Sequence, residues 1–292
     1  MWAVPLLALV GVVHVHHSPS HDSEAPFSEV VEAGRSAGLD FVVLTEHVDS
    51  TEDVPLPAGE RAGTYAGEGK PLLVLVGVEL GTRDGHLLAF DVAQAPAATD
   101  RPARDVIDRI HAEGGFAVVA HPFSYGGWQD WAAPFDGMEV HNNASSLRSM
   151  VGPLLPVRLL EFAVHRRGAM ARVLRRPEAA LERLDAFASE GRQVVAFSGA
   201  DAHQNLSLLG WQLDPYHEVF RLVQTVCPDG PLTAEWVWKV LREGDCSIRY
   251  SIYESRASQA VEVRFPSGRV ELQLDGGRRV YEIRNAPRPE AQ

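Results

Sequence analysis

The sequence predicts an α/β fold, a parallel sheet wrapped by helices, with a small antiparallel β extension at its C-terminal end. Short apolar runs alternate with amphipathic stretches along most of the 292 residues, the mark of repeated strand–helix units. Most of these stretches close on glycine, which serves as a left-handed helix cap. Beyond residue 243 the texture changes to four short strand-like runs separated by tight-turn sequences.

Seven runs are expected as strands of the sheet, at 6–13, 41–45, 72–79, 116–120, 137–140, 194–197 and 222–226. Residues 1–13 are apolar with no Lys or Arg and lead straight into His14-Val15-His16. They read as a buried first strand rather than a secretory signal, and they fall short of the ~20 residues of a membrane helix. A cytoplasmic location is expected, with an N-terminal anchor or export signal as the alternative. Helices are expected over 27–37, 103–113 and 177–190, closed by Gly38, Gly114-Gly115 and Gly191. Residues 87–92 are expected to form a hairpin with the third run. A further helix over 232–243 precedes strands at 247–252, 261–265, 270–274 and 279–283. The domain reading is a catalytic unit over 1–245 with an Arg-rich insertion at about 144–192, a β extension over 246–285 and a disordered tail over 286–292.

Asp and Glu outnumber Lys and Arg 39 to 27, a formal charge of −12, and there are 12 histidines. Phosphate backbones demand clustered positive charge, so duplex nucleic acid is not expected as a partner, nor is a membrane. Two cysteines, Cys227 and Cys246, rule out a disulfide framework or a Cys-rich zinc module, and are compatible with a reducing compartment.

His14 and His16 follow the first run, Glu46 and His47 the second, Glu79 ends the third, His121 follows the fourth, Glu139 and His141 end the fifth, and Asp201 and His203 follow the sixth. The C-terminal ends of parallel strands meet at one face, where α/β barrels hold their active sites. Imidazole and carboxylate without thiolate suit zinc, iron or manganese. One zinc needs three protein ligands and a water, whereas eight or more donors are on offer, so two or three divalent ions are expected. His17 reads as pointing away, and His111, His165 and His217 as surface residues.

The segments HVHHSPSHDS, LTEH, GVEL, GHLLAF, VVAHP, DGMEVHNN and SGADAH, in that order over roughly residues 10 to 205, resemble the PHP (polymerase and histidinol phosphatase) superfamily of metal-dependent phosphoesterases. The downstream GWQLDPYHEVF and TAEWVWKVLREG are similar to its CehA/McbA-like branch. The resemblance implies a distorted (β/α)7 TIM-like barrel with a trinuclear centre. His14, His16 and Asp201 would hold a first ion, with Glu79 bridging to a second completed by His121 and His141. His47 and His203, with Asp22 or else His21, would hold a third. His86 is a ligand or a substrate contact.

The function so implied is hydrolysis of a phosphate ester on a small metabolite or nucleotide, by a hydroxide bridging two metals, with Glu79, Asp201 and His203 as catalytic residues. A carbamate, amide or ester hydrolase and a non-catalytic metal-binding module are the alternatives. Seven arginines and one acid lie between 148 and 176. Arg166 and Arg167 read as a lid clamping phosphate, with Arg83 as a second contact.

Overall fold

The computed structural model describes residues 8–67, 69–124, 127–148, 164–166, 168–208 and 211–287. At its centre lies β1 (Ala8–Val15), with β2 (Phe41–Leu44) parallel on one side. The chain continues through β3 (His47–Val48), β4 (Val54–Pro55), β5 (Gly63–Tyr65), β6 (Leu72–Val76), β7 (Val78–Thr82), β8 (Gly85–Phe90), β9 (Gln94–Ala95), β10 (Phe116–Val119) and β11 (Gly137–Asn142). Next come β12 (Val195–Ala202), β13 (Ser207–Leu208), β14 (Trp211–Gln212), β15 (Gln224–Pro228), β16 (Ser247–Arg249), β17 (Val261–Arg264), β18 (Val270–Leu274) and β19 (Arg279–Arg284).

Fifteen of these strands form one mixed sheet, in the order β17-β18-β19-β16-β15-β1-β12-β11-β10-β8-β7-β3, with β2 joining β1 to β6 and β5 beyond. Strands β2, β6 and β10 are apolar and buried throughout, as expected where helices cover one face and strand neighbours the other. The helices Phe27–Ser36 and Ala103–Ala112 bury Val30 and Ala33, and Val106, Ile107 and Ile110, against the sheet. The helix Ala234–Glu243 is capped at both ends: Thr233 accepts from the Trp236 amide, and Gly244 takes a φ of 76°.

The sheet departs from the expected parallel one in three places. The third run is two strands, broken at Gly77, where an added Cβ would lie 2.7 Å from Ala89 O. That close approach lets the chain pass from the parallel partner β2 to the antiparallel partner β8. The seventh run, β15, pairs antiparallel with β1 rather than parallel. The β extension is joined to the sheet by β16, which pairs with both β15 and β19. The two cysteines, read as compatible with a reducing compartment, form a Cys227–Cys246 disulfide across that junction. Among the described residues, no helix is long and apolar enough to cross a membrane.

Candidate metal centre

The strand ends deliver their polar residues to one place, and they do so through bent backbone. His14 (φ 67°), His121 (φ 28°) and Asp201 (φ 46°) all sit in the left-handed region, which costs a non-glycine residue on the order of 1–3 kcal/mol and persists only where the surroundings enforce it. The register of β1 slips just before Val15 against both of its parallel neighbours, β12 and β2. His14 and His16 therefore reach the same cluster through a kinked strand end, with ring centroids 5.0 Å apart.

Glu79, fully buried, stands at the centre. Its Oε2 lies 2.9 Å from His14 Nε2, 3.2 Å from His16 Nε2 and 3.5 Å from His47 Nδ1. Its Oε1 lies 2.7 Å from His86 Nδ1 and 3.0 Å from His121 Nε2. One carboxylate thus faces five imidazoles, divided between its two oxygens.

Around it are four groups of residues whose donor atoms lie within 4.8 Å of one another: His16, Asp22, His47 and His203; His14, His16 and Asp201; His14, Glu79 and His121; and His47, Glu79 and His86. His16 Nε2, His203 Nε2 and Asp22 Oδ1 are buried without a well-formed hydrogen bond, although His16 Nε2 lies 3.2 Å from Glu79 Oε2 and His203 Nε2 2.9 Å from Asp22 Oδ2. Buried polar atoms normally find a partner. Three such buried donor atoms converging in one four-residue group fit a divalent cation, and imidazole with carboxylate is the donor chemistry of zinc, iron or manganese.

The cluster's electrostatics are dominated by burial and by mutual attraction. Burial opposes a charged His14, but Glu139, Glu79 and Asp201 outweigh it and hold its pKa well above the ordinary histidine value. Burial prevails at His16, whose pKa falls to about 4. Burial likewise opposes ionised Glu79, yet His14, His121 and His16 hold it well below the usual carboxylate range. His47, His121 and His203 are raised against burial by the carboxylates beside them. Ligation requires neutral imidazole, so cation uptake here would release protons.

The structure gathers His14, His16, Asp22, His47, Glu79, His86, His121, Asp201 and His203. It does not gather His141. That ring is buried against Tyr250, whose hydroxyl donates to His141 Nδ1 at 3.2 Å, while Nε2–H donates to Asn143 Oδ1 at 3.0 Å. The reason is a register shift in β11 between Glu139 and His141, which breaks the two-residue alternation that would set both on one face. Glu139, expected at the strand-end face but assigned to no ion, reaches the cluster, its Oε1 2.6 Å from His14 Nδ1. His21 lines the cavity above the cluster but belongs to none of the four groups, whereas Asp22 does. His17 is turned away and bonded to Glu46, as expected.

That cavity has a volume of about 560 Å3, and Arg83 is the one Lys or Arg among its described lining residues. Arg83 Nη2 donates to Asp100 O at 2.7 Å. The arginine clamp is not assembled there from the described residues: Arg166 donates to Gln212 O, Arg176 pairs with Glu271, and Arg167 lies outside the described residues.

No protein-family model matches the chain, and no curated protein does. Solved structures do. PsfC from Pseudomonas syringae PB-5123 is similar with a TM-score of 0.53 and 14% identity, over 86% of this chain and 95% of that one. A two-domain protein from Bacteroides vulgatus, described as containing a predicted PHP-like metal-dependent phosphoesterase, is similar with a TM-score of 0.47 and 13% identity, over 98% and 88%. Endonuclease Q, in complex with a 27-mer duplex substrate with an abasic lesion at the active site, is similar with a TM-score of 0.47 and 15% identity, over 81% and 57%. The last corrects one expectation. Net acidity makes duplex nucleic acid an unexpected partner, yet this structural neighbour holds a duplex.

Proposed function

We propose that this chain is a metal-dependent hydrolase of the PHP type acting on a phosphate ester of a small metabolite or nucleotide. The observation that carries the reading is Glu79, one buried carboxylate shared by five imidazoles, of which His47, His86 and His121 line a cavity. In this reading His14, His16 and Asp201 hold one ion, Glu79 and His121 a second, and Asp22, His47 and His203 a third. His86 adds a donor on the cavity side. The barrel reading is supported by the strand pairings: from β1 through β2, β6 and, past Gly77, β7, then β8, β10, β11 and β12, the ladder returns to β1.

Divalent ions in such a site supply Lewis-acid activation of water and of the phosphoryl oxygens. The chain's own contribution is placement. Glu79 and Asp201 keep negative charge fixed among the rings, the buried walls of the cluster exclude bulk water, and Arg83 at the cavity wall offers a guanidinium to a phosphate oxygen. The test is metal content by elemental analysis, with turnover of p-nitrophenyl phosphate, a nucleotide, a carbamate ester and an abasic-site duplex. Two or three ions per chain with turnover of the small phosphate esters is the expected result. A chain that takes up no divalent ion would remove the metal reading. Turnover of the carbamate alone would replace the phosphoesterase with a carbamate hydrolase.

A further inference from the structure

We infer that Glu139 is a positioning residue for the cluster, a carboxylate outside all four donor groups that sets the ring of His14 and the backbone of His121 on either side of Glu79. The inference rests on the metal reading above and adds to it a residue that holds ligands without being one.

Glu139 is 2% exposed, and both its oxygens are engaged. Oε1 accepts from His14 Nδ1–H at 2.6 Å; Oε2 accepts from the His121 backbone N–H at 2.8 Å and from Asn142 Nδ2 at 2.9 Å. No Lys or Arg is among these donors, so this buried carboxylate is spent wholly on two cluster residues and one asparagine beside them. With Nδ1 carrying the proton, His14 presents Nε2 to Glu79 Oε2 at 2.9 Å and to Asp201 Oδ1 at 3.6 Å. A carboxylate behind an imidazole fixes its tautomer and ring orientation in this way, and losing such a partner weakens metal binding by roughly 10–100-fold.

Two further observations bear on the assignment. His14 and His121 are two of the positive-φ residues, and Glu139 bonds the side chain of one and the backbone of the other, so it helps hold both bends. The neighbouring strand β12 also makes room for it: a Cβ added to Gly199 would lie 1.9 Å from Glu139 Oε1. The glycine in the SGADAH segment is thus explained by the carboxylate opposite it rather than by a turn, and it offers a second way to displace Glu139 without altering any donor.

The experiment measures cation binding by the full chain with manganese and with cobalt(II), whose absorption spectrum reports ligand geometry. It compares the wild type with Glu139→Gln, which keeps the shape, and with Gly199→Ala. Both variants are expected to bind the ions shared with His14 roughly 10–100-fold more weakly and to alter the cobalt spectrum. The ion held by Asp22, His47 and His203 should stay in place, and the chelated protein should stay folded. Adding Glu139→Gln to His14→Gln should produce little further loss at the His14 ion, because the carboxylate acts there through that ring. Wild-type affinity and spectrum in both variants would overturn the inference, as would equal loss of every ion together with the fold. A wild-type chain that binds no cation would instead overturn the metal reading itself.

Discussion

Two regions of this molecule bury ionisable groups, and they do it with opposite chemistry. Where the β extension meets the helix Glu178–Ser189, Glu271 and Asp185 face arginines. Arg176 reaches Glu271 at 2.8 and 3.0 Å, Arg269 reaches Asp185 at 2.7 Å and also contacts Glu271, and both guanidiniums lie over the Phe265 ring. At the strand ends the carboxylates of the cluster face imidazoles, and among the described residues Arg83 is the one arginine lining the cavity there. A guanidinium cannot be deprotonated in a protein, so the first network is permanently neutralised. Imidazoles can shed their protons, which leaves the second network open to a cation. Of the arginines between 148 and 176, Arg176 serves the first region, while Arg166 donates to Gln212 O.

The sharpest break of the comparison is Glu271→Ala. It leaves Arg176 and Arg269 buried without their shared carboxylate, which costs about 3–5 kcal/mol, a large part of the stability of an ordinary domain. Urea unfolding should report that loss while metal content in native buffer stays at the wild-type value. If ions leave with Glu271, the two regions are one energetic unit and the contrast fails.

Glu79→Gln is the reciprocal test. A neutral amide among five imidazoles removes the charge that both halves of the cluster share. Hydrolysis should fall by on the order of 10²–10³-fold or more, with at least one ion lost on dialysis and urea stability in chelator changed less than by Glu271→Ala. Full activity at unchanged metal content would take Glu79 out of the centre.

These contrasts also show what was legible in the sequence. Strands such as β2 and β10 and the glycine-capped helices could be read, because continuous apolar runs and left-handed caps are local features. The direction of β15 could not, since an apolar run carries no sign of parallel or antiparallel pairing. Nor could the Cys227–Cys246 bond, which depends on β15 and β16 becoming neighbours. Most donors were legible as polar residues at strand ends. At β11 the register shift between Glu139 and His141 turns Glu139 to the cluster and His141 to Tyr250, and nothing in DGMEVHNN marks it. Choosing Asp22 over His21 likewise needed the direction of side chains within a turn, which spacing alone does not supply.

His141 gives the smallest of the expected effects and tests that placement. Burial lowers its pKa from 6.5 to about 4, so the ring is neutral in the fold at pH values where the unfolded chain takes up a proton. Stability from this residue is therefore whole above about pH 6.5 and declines as the pH falls towards 4, because the unfolded state gains the proton first. In His141→Phe the Tyr250 hydroxyl and Asn143 Oδ1 lose their partner, at a cost of about 1–3 kcal/mol near pH 8. The variant has no such titration, so its deficit relative to the wild type should narrow as the pH drops from 6.5 to 4, while the number of bound ions at pH 8 is unchanged. Denaturant midpoints across that range, with metal content at the upper end, separate the outcomes. A deficit that does not vary with pH would contradict the buried neutral ring, and a lost ion would return His141 to the ligand set in place of the partnership with Tyr250 and Asn143.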